Sequence, residues 1–289
     1  MRFLVILAAL ALPTSAWCAE PSLPAPQVGD IFEIRHEYQT EDRTNDGSST
    51  GSSSGHTTIV ERVIGVRPDG LELEYDFPSD ATEEDRSREW QFPARIFRPH
   101  TGTPQLLNRA ELEARRDAWL QRWKIDRASC GSWYFTWNAF KVECDPQSVI
   151  ASMEEYNLWF AGLSEGSPYR APQARESAPL KILTGSEPAS FVAEMTVDPD
   201  KWRRERAEAD VVVSQIMGKP QTLEDALRAR SGDQVSGTIK VTLDTDGSGQ
   251  IRQRTEVVKL TIQGADGKVE TQSRTEKVER QRVSGPQTH

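Results

Sequence analysis

The chain has little with which to hold a metal: four histidines (His36, His56, His100 and His289) and three cysteines are scattered along 289 residues, with no H-x-x-x-H or C-x-x-C spacing among them. Metal centres of ordinary ligand spacing and thiol oxidoreductase chemistry are therefore not expected, and no residue pattern calls for a cofactor. After Leu12 no apolar run approaches the length of a membrane helix, so the protein is not expected to be integral to a membrane. There is no excess of positive charge either; a formal net charge of -9 argues against nucleic acid and anionic membrane surfaces as partners. Hydrophobic residues make up only 36% of the chain, which predicts a folded protein with a thin core.

The most informative stretch is the beginning, MRFLVILAALALPTSAWCAE. Arg2 supplies a positive start, Phe3 to Leu12 an apolar stretch too short to span a bilayer, and Pro13 to Ala16 a break with small residues suited to cleavage. Residues 1–16 thus read as a signal peptide, with cleavage expected between 16 and 19, and the mature protein as periplasmic or secreted. Removing them also removes Arg2, so the mature charge is about -10. Cys18 would remain close to the new N-terminus. Trp17 and Ser15 stand where a lipidation signal needs a small and an aliphatic residue, so anchoring through Cys18 is disfavoured.

In an oxidising compartment Cys130 and Cys144 are expected to pair with each other. Between them runs GSWYFTWNAFKVE, an aromatic strand, and Asp145-Pro146 after them reads as the N-cap and N1 of a helix.

Along the chain, Phe32, Ile34, His36 and Tyr38 share one face of a strand over 31–40, and Thr57 to Val66 form another. The intervening Thr40 to Gly55 has nothing apolar to bury and is expected to be a mobile excursion. Leu71, Leu73, Tyr75 and Phe77 alternate with Glu72, Glu74 and Asp76, the clearest period-two pattern in the protein. Asp80 to Asp85 reads as a loop before a strand carrying Trp90, Phe92, Ala94 and Ile96, where Pro93 suggests an edge or a bulge. Asn108 with Glu111 reads as a capping box for a helix burying Leu112, Trp119, Leu120 and Trp123. A second helix is expected over 146–158. A third opens at Asp198-Pro199, and Thr222 caps a fourth. Residues 235–282 read as long strands joined by turns at 246–249 and 265–267. The strand 268–282 carries charge at nearly every second position with Thr or Ser between, a composition suited to a sheet edge.

This order predicts an α+β protein: a large curved antiparallel β-sheet with about four helices packed on one side. Its two halves, residues 21–161 and 179–283, flank a Ser-, Gly- and Pro-rich connection and are expected to share one continuous sheet. Asp244 to Ile251 (DTDGSGQI) resembles the first eight positions of an EF-hand calcium loop. The twelfth position, however, is Thr255, and strand-like residues flank the segment, so it reads as a hairpin turn. The letters G-x-S-x-G at Gly51 to Gly55 have neither the strand before nor the helix after that a nucleophile elbow requires.

In element order and compartment the chain resembles the periplasmic lipoprotein carriers, which bind acyl chains. That resemblance implies a curved sheet with helices in its concavity and a lipid or other apolar small molecule as partner. On this reading the protein is a non-enzymatic binding or envelope-associated protein, with a ligand cleft lined by Trp90, Phe92, Phe135 and Trp137 and with His36 facing the cavity or core. Two other readings fit the same residues. One is a protein-interaction scaffold that offers strand 268–282 as an exposed edge to an envelope protein. The other is an envelope hydrolase, which would need His36 or a carboxylate held in a cleft.

Overall fold

The computed structural model describes residues 25–135, 139–160, 163–186 and 188–284. The N-terminal strands are β1 (Ile31–Thr44), β2 (Thr50–Arg67), β3 (Gly70–Asp76), β4 (Ala94–Pro99) and β5 (Gln105–Leu106). Two small hairpins follow, β6 (Trp133–Phe135) with β7 (Ala139–Lys141), and β8 (Pro168–Tyr169) with β9 (Ala178–Pro179). Then come β10 (Lys181–Ile182), β11 (Ser190–Thr196), β12 (Gln234–Thr245), β13 (Ile251–Gln263) and β14 (Val269–Ser284). Five α-helices are interspersed among the described residues: α1 (Glu83–Arg88), α2 (Arg109–Trp123), α3 (Ser148–Glu154), α4 (Pro199–Ile216) and α5 (Leu223–Ala229).

Ten of the strands form one antiparallel sheet in the order β10-β11-β12-β13-β14-β1-β2-β3-β4-β5. The class is α+β with a large curved sheet, as the strand and helix order predicts. The first strand of the sheet lies beside the last: β1 pairs with β14 from Ile31↔Ser284 to Thr44↔Glu270. Strands from both halves of the chain therefore meet in the middle of the sheet. Alternation sets the two faces. On β3, Leu71, Leu73 and Tyr75 are buried, and on β12 so are Ile239, Val241 and Leu243. These rows join Leu112 of α2, Val149 and Met153 of α3 and Trp202 of α4 in a single core cluster on one side of the sheet. No helix among the described residues is long and apolar enough to cross a membrane.

Several sequence expectations are corrected. Residues 40–55 are not a mobile excursion: β1 and β2 continue in unbroken register to Arg43↔Thr50, leaving residues 45–49 as the turn. Ser and Thr suit a ladder that is wet on both sides, and the turn needs only Gly47 at φ 69° and Asp46 Oδ1 accepting the Ser48 amide at 3.0 Å. The strand 268–282 is not an edge. As β14 it lies between β13 and β1, and the true edges are the two-residue strands β5 and β10. Its charges are tolerated because α4 and neighbouring side chains supply partners: Arg206 meets Glu270 through two bonds of 2.8 and 3.1 Å, and Arg274 pairs with Glu276.

The stretch read as a loop over 80–85 opens α1, the additional helix. Thr82 Oγ1 accepts the Asp85 amide at 3.1 Å, and Asp85 accepts the Thr82 amide in return. Asn108, by contrast, makes no side-chain cap. Its Oδ1 accepts the Arg95 amide at 2.9 Å and its Nδ2 donates to the Pro93 carbonyl at 3.0 Å, which pins the start of α2 to the start of β4. Trp123 of α2, read as buried, is 46% exposed. The helix expected over 146–158 is the shorter α3. Asp198 and Thr222 do cap α4 and α5 through their side chains.

Cys130 and Cys144 form a disulfide with Cα atoms 5.5 Å apart, closing the base of the β6–β7 hairpin. The Gly131 amide donates to Val142 O at 2.8 Å and the Val142 amide to Ser132 O at 3.0 Å just inside it. A Cys130→Ser/Cys144→Ser double variant is expected to lose about 3 kcal/mol of unfolding free energy, the loop-closure value for a ring of this size. Equilibrium denaturation of the variant beside the oxidised protein measures that difference.

Candidate functional site

Glu61 occupies an inward position of β2, between Ile59 and Val63, and is wholly buried. A lone carboxylate there would be prohibitively costly, and the surroundings answer it. Trp159 Nε1 donates to both Glu61 oxygens, at 3.0 and 3.1 Å. Arg280 of β14 places Nη1 3.6 Å from Glu61 Oε1. The Arg280 guanidinium lies 4.8 Å from the centre of the Phe32 ring and 4.0 Å from that of Trp159. Beyond Glu61, its cross-strand partner Tyr75 has a fully buried hydroxyl without a hydrogen bond among the described residues. Burial, reinforced by the charge of Glu61, pushes that phenol well above its ordinary range. Arg98 of β4 continues the line to Glu154 of α3, 2.8 Å away. A row of buried polar groups thus crosses the sheet from β14 to β4.

A second charged centre lies on the helix-facing side. Glu256 of β13 and Glu276 of β14 are direct cross-strand partners. Arg274 approaches Glu205 of α4 at 3.7 Å and pairs with Glu276. Arg254 donates to the carbonyls of Glu155, at 2.7 Å, and Asn157, at 3.3 Å. His36 of β1 meets Tyr156 edge-to-face at 5.8 Å. Burial first, then the negative charge of Glu276, raises the Glu256 carboxyl above the usual glutamate range. Burial also raises Glu155, against the opposing pull of His36, and Glu205, against that of Arg274.

The residues expected to line an apolar cleft have different places. Trp90 is buried and donates Nε1 to Glu143 O at 3.1 Å, so it props the base of the disulfide-closed hairpin. Phe92 precedes β4 and packs 4.8 Å from Phe77. Phe135 stands on β6 at 60% exposure, on the opposite face of the hairpin from the Tyr134 and Phe140 rings, which stack at 6.0 Å. Trp137 lies outside the described residues. His36 is on the inner face of β1, in the charged centre. Sequence reasoning passed over Glu61 and Arg280. The signal for Glu61 is a charge at an inward place in the alternation Ile59-Glu61-Val63, with an arginine two places after Val278 to match it.

Asp244 to Ile251 is a turn. Asp246 Oδ1 accepts the amides of Ser248 and Gln250, and Asp244 accepts from Ser190 Oγ and Gln253 Nε2. Among the described residues no group of three or more His, Cys, Asp or Glu side chains is placed to hold a metal ion.

No family model matches the chain, and no curated protein matches it in sequence. A solved structure describing lipid–protein interactions in lipovitellin is similar at 8% identity and a TM-score of 0.41, over 92% of this chain and 27% of that one. The chain thus spans about a quarter of that protein's length, and a score this low carries no functional argument.

Two outcomes follow from the charged centres. Truncating Glu61 (Glu61→Ala) leaves Arg280 uncompensated and is expected to cost about 3–5 kcal/mol in chemical denaturation. The three raised glutamates bind protons more tightly folded than unfolded. Their contribution is therefore fully present below the ordinary glutamate range and is lost as pH rises through their elevated folded values. Glu256→Gln is expected to raise stability at neutral pH and to flatten its decline above the glutamate range, read from melting curves across a pH series.

Proposed function

We infer that the protein is an exported, non-enzymatic binding protein of an oxidising, periplasmic or envelope compartment, and that its ligand is an apolar molecule such as a lipid, met at the disulfide-closed hairpin. The observation that carries this reading is the exposure of Tyr134, Phe135 and Phe140, at 41%, 60% and 45%, on a hairpin whose base is fixed covalently. Burying a phenylalanine side chain is worth about 1.5–3 kcal/mol, so three rings held in water are a standing source of binding energy. Their support is rigid. The disulfide closes the base, Trp90 holds Glu143 beside it, and β6 lies against α4. Trp137, expected from the sequence to line the ligand site, is proposed to do so with Phe135; Trp90 and Phe92 are assigned to its footing.

The leader-like first sixteen residues, the disulfide and the acidic balance support the compartment. Titration with a fluorescent fatty-acid probe tests the ligand. Saturable binding is expected, weakened about tenfold, or roughly 1.4 kcal/mol, by Phe135→Ala or Trp137→Ala. A wild-type protein that leaves the probe free at micromolar concentration overturns the reading.

A further inference from the structure

A cavity of about 310 Å³ opens where the turn between β12 and β13 meets the start of β1. Phe32 and Ile251 give it apolar wall, and three arginines line it: Arg252 of β13, and Arg280 and Arg282 of β14. Its two carboxylates are already engaged within the chain. Asp30 pairs with Arg282 and also accepts the Gln27 amide at 3.0 Å. Asp246 accepts the Ser248 hydroxyl and the amides of Ser248, at 2.7 Å, and Gln250, at 3.1 Å. Arg252 has no ion-pair partner among the described residues.

Arg280 is the decisive group. Its side chain is 3% exposed, and the rings of Phe32 and Trp159 keep the guanidinium from turning out to water. Among the described residues Nη1 makes no hydrogen bond, and Nη2 makes only two long ones, 3.3 Å to Gln250 Oε1 and 3.4 Å to Ile251 O. Glu61 does not consume these donors: its closest approach is the 3.6 Å contact, and both its oxygens accept from Trp159. A buried guanidinium with unfilled donors is under-satisfied by the rule that buried polar groups find partners. Its planar fork matches a carboxylate or phosphate edge, for which the stacked rings already fix the orientation.

We propose that this cavity is a binding site for a small anion of the carboxylate or phosphate class, held by the Arg280 fork with Arg252 as the second cationic contact. The site is independent of the aromatic hairpin. Its position between β13, β14 and the start of β1 makes it a product of the sheet's central pairing.

Isothermal titration of the full-length mature protein at low ionic strength tests it, with inorganic phosphate, octanoate and octanoate methyl ester as separate probes. Saturable binding of phosphate or octanoate that the uncharged ester does not displace is expected, and it should weaken with added salt, whereas any binding of the ester itself belongs to the aromatic hairpin. Phosphate alone assigns the phosphoryl class, octanoate alone the carboxylate class, and both together the shared anion chemistry. Arg252→Gln, a change at the cavity rim, is expected to weaken binding about fivefold. Arg280→Lys keeps the charge but loses the fork and is expected to weaken it about tenfold, with circular dichroism confirming the fold. Absence of binding at millimolar probe, affinity unchanged in both variants, or octanoate binding abolished by Phe135→Ala with no phosphate bound, overturns the proposal. Phe135→Ala leaves anion binding at this cavity unchanged, which separates its failure from that of the hairpin reading.

Discussion

The pairing of β1 with β14 is the constraint on which the rest of the structure depends. It joins the two ends of the described chain by a ladder running from Ile31↔Ser284 to Thr44↔Glu270, and through it two antiparallel halves become one ten-stranded sheet. Because side chains alternate, this one register decides what meets on the helix-facing side. It brings Arg280 to the carboxylate of Glu61, and it sets His36 across from Val278. The neighbouring β13–β14 register then places Glu276 against Glu256. A slip of one residue would send this entire row to solvent and leave Glu61 alone in the core.

The middle of the sheet is correspondingly unlike a hydrocarbon core. Apolar rows on β3 and β12 seal the two flanks, while the centre holds charge. Such groups stabilise little in net terms, since desolvation offsets most of their attraction, but they penalise every arrangement that separates them. The three glutamates with raised proton affinity show the same tension from the other side. Burial is the largest cause at each, and the nearby charges of His36, Arg254 and Arg274 offset it only in part.

Much of the fold is legible in the sequence where one side of an element is apolar and the other wet. Leu71, Leu73 and Tyr75 against Glu72, Glu74 and Asp76 suffice for β3, and Asp198-Pro199 for the start of α4. The long C-terminal strands and the Cys130–Cys144 pair are legible too. The place of β14 is not, because its inner row is charged and its partners, Arg206 and Glu205, come from a helix some sixty residues earlier. Local composition therefore pointed to an edge. The extension of β1 and β2 through residues 40–55 was hidden for a related reason: backbone hydrogen bonds and polar side-chain contacts hold it, and they leave no apolar pattern. Of the candidate ligand residues, the exposure of Phe135 follows from a hairpin too short to have an inside. Trp90 reads identically in sequence, yet its indole is occupied in supporting the hairpin's base.

Because Ile31 stands opposite Ser284, both ends of the sheet's chain leave side by side from one end of its central strand pair. A chain delivered N-terminus first presents β1 early, but the strand has only β2 to pair with until β14 is made. The sheet therefore closes at its centre rather than at its rim, and its closing event waits for β14. Until then both half-sheets carry an open inner edge, long and rich in Thr, Arg and Glu. The charge and hydroxyl content that made β14 look like an outer strand is the composition such an edge needs while it is still waiting for its partner.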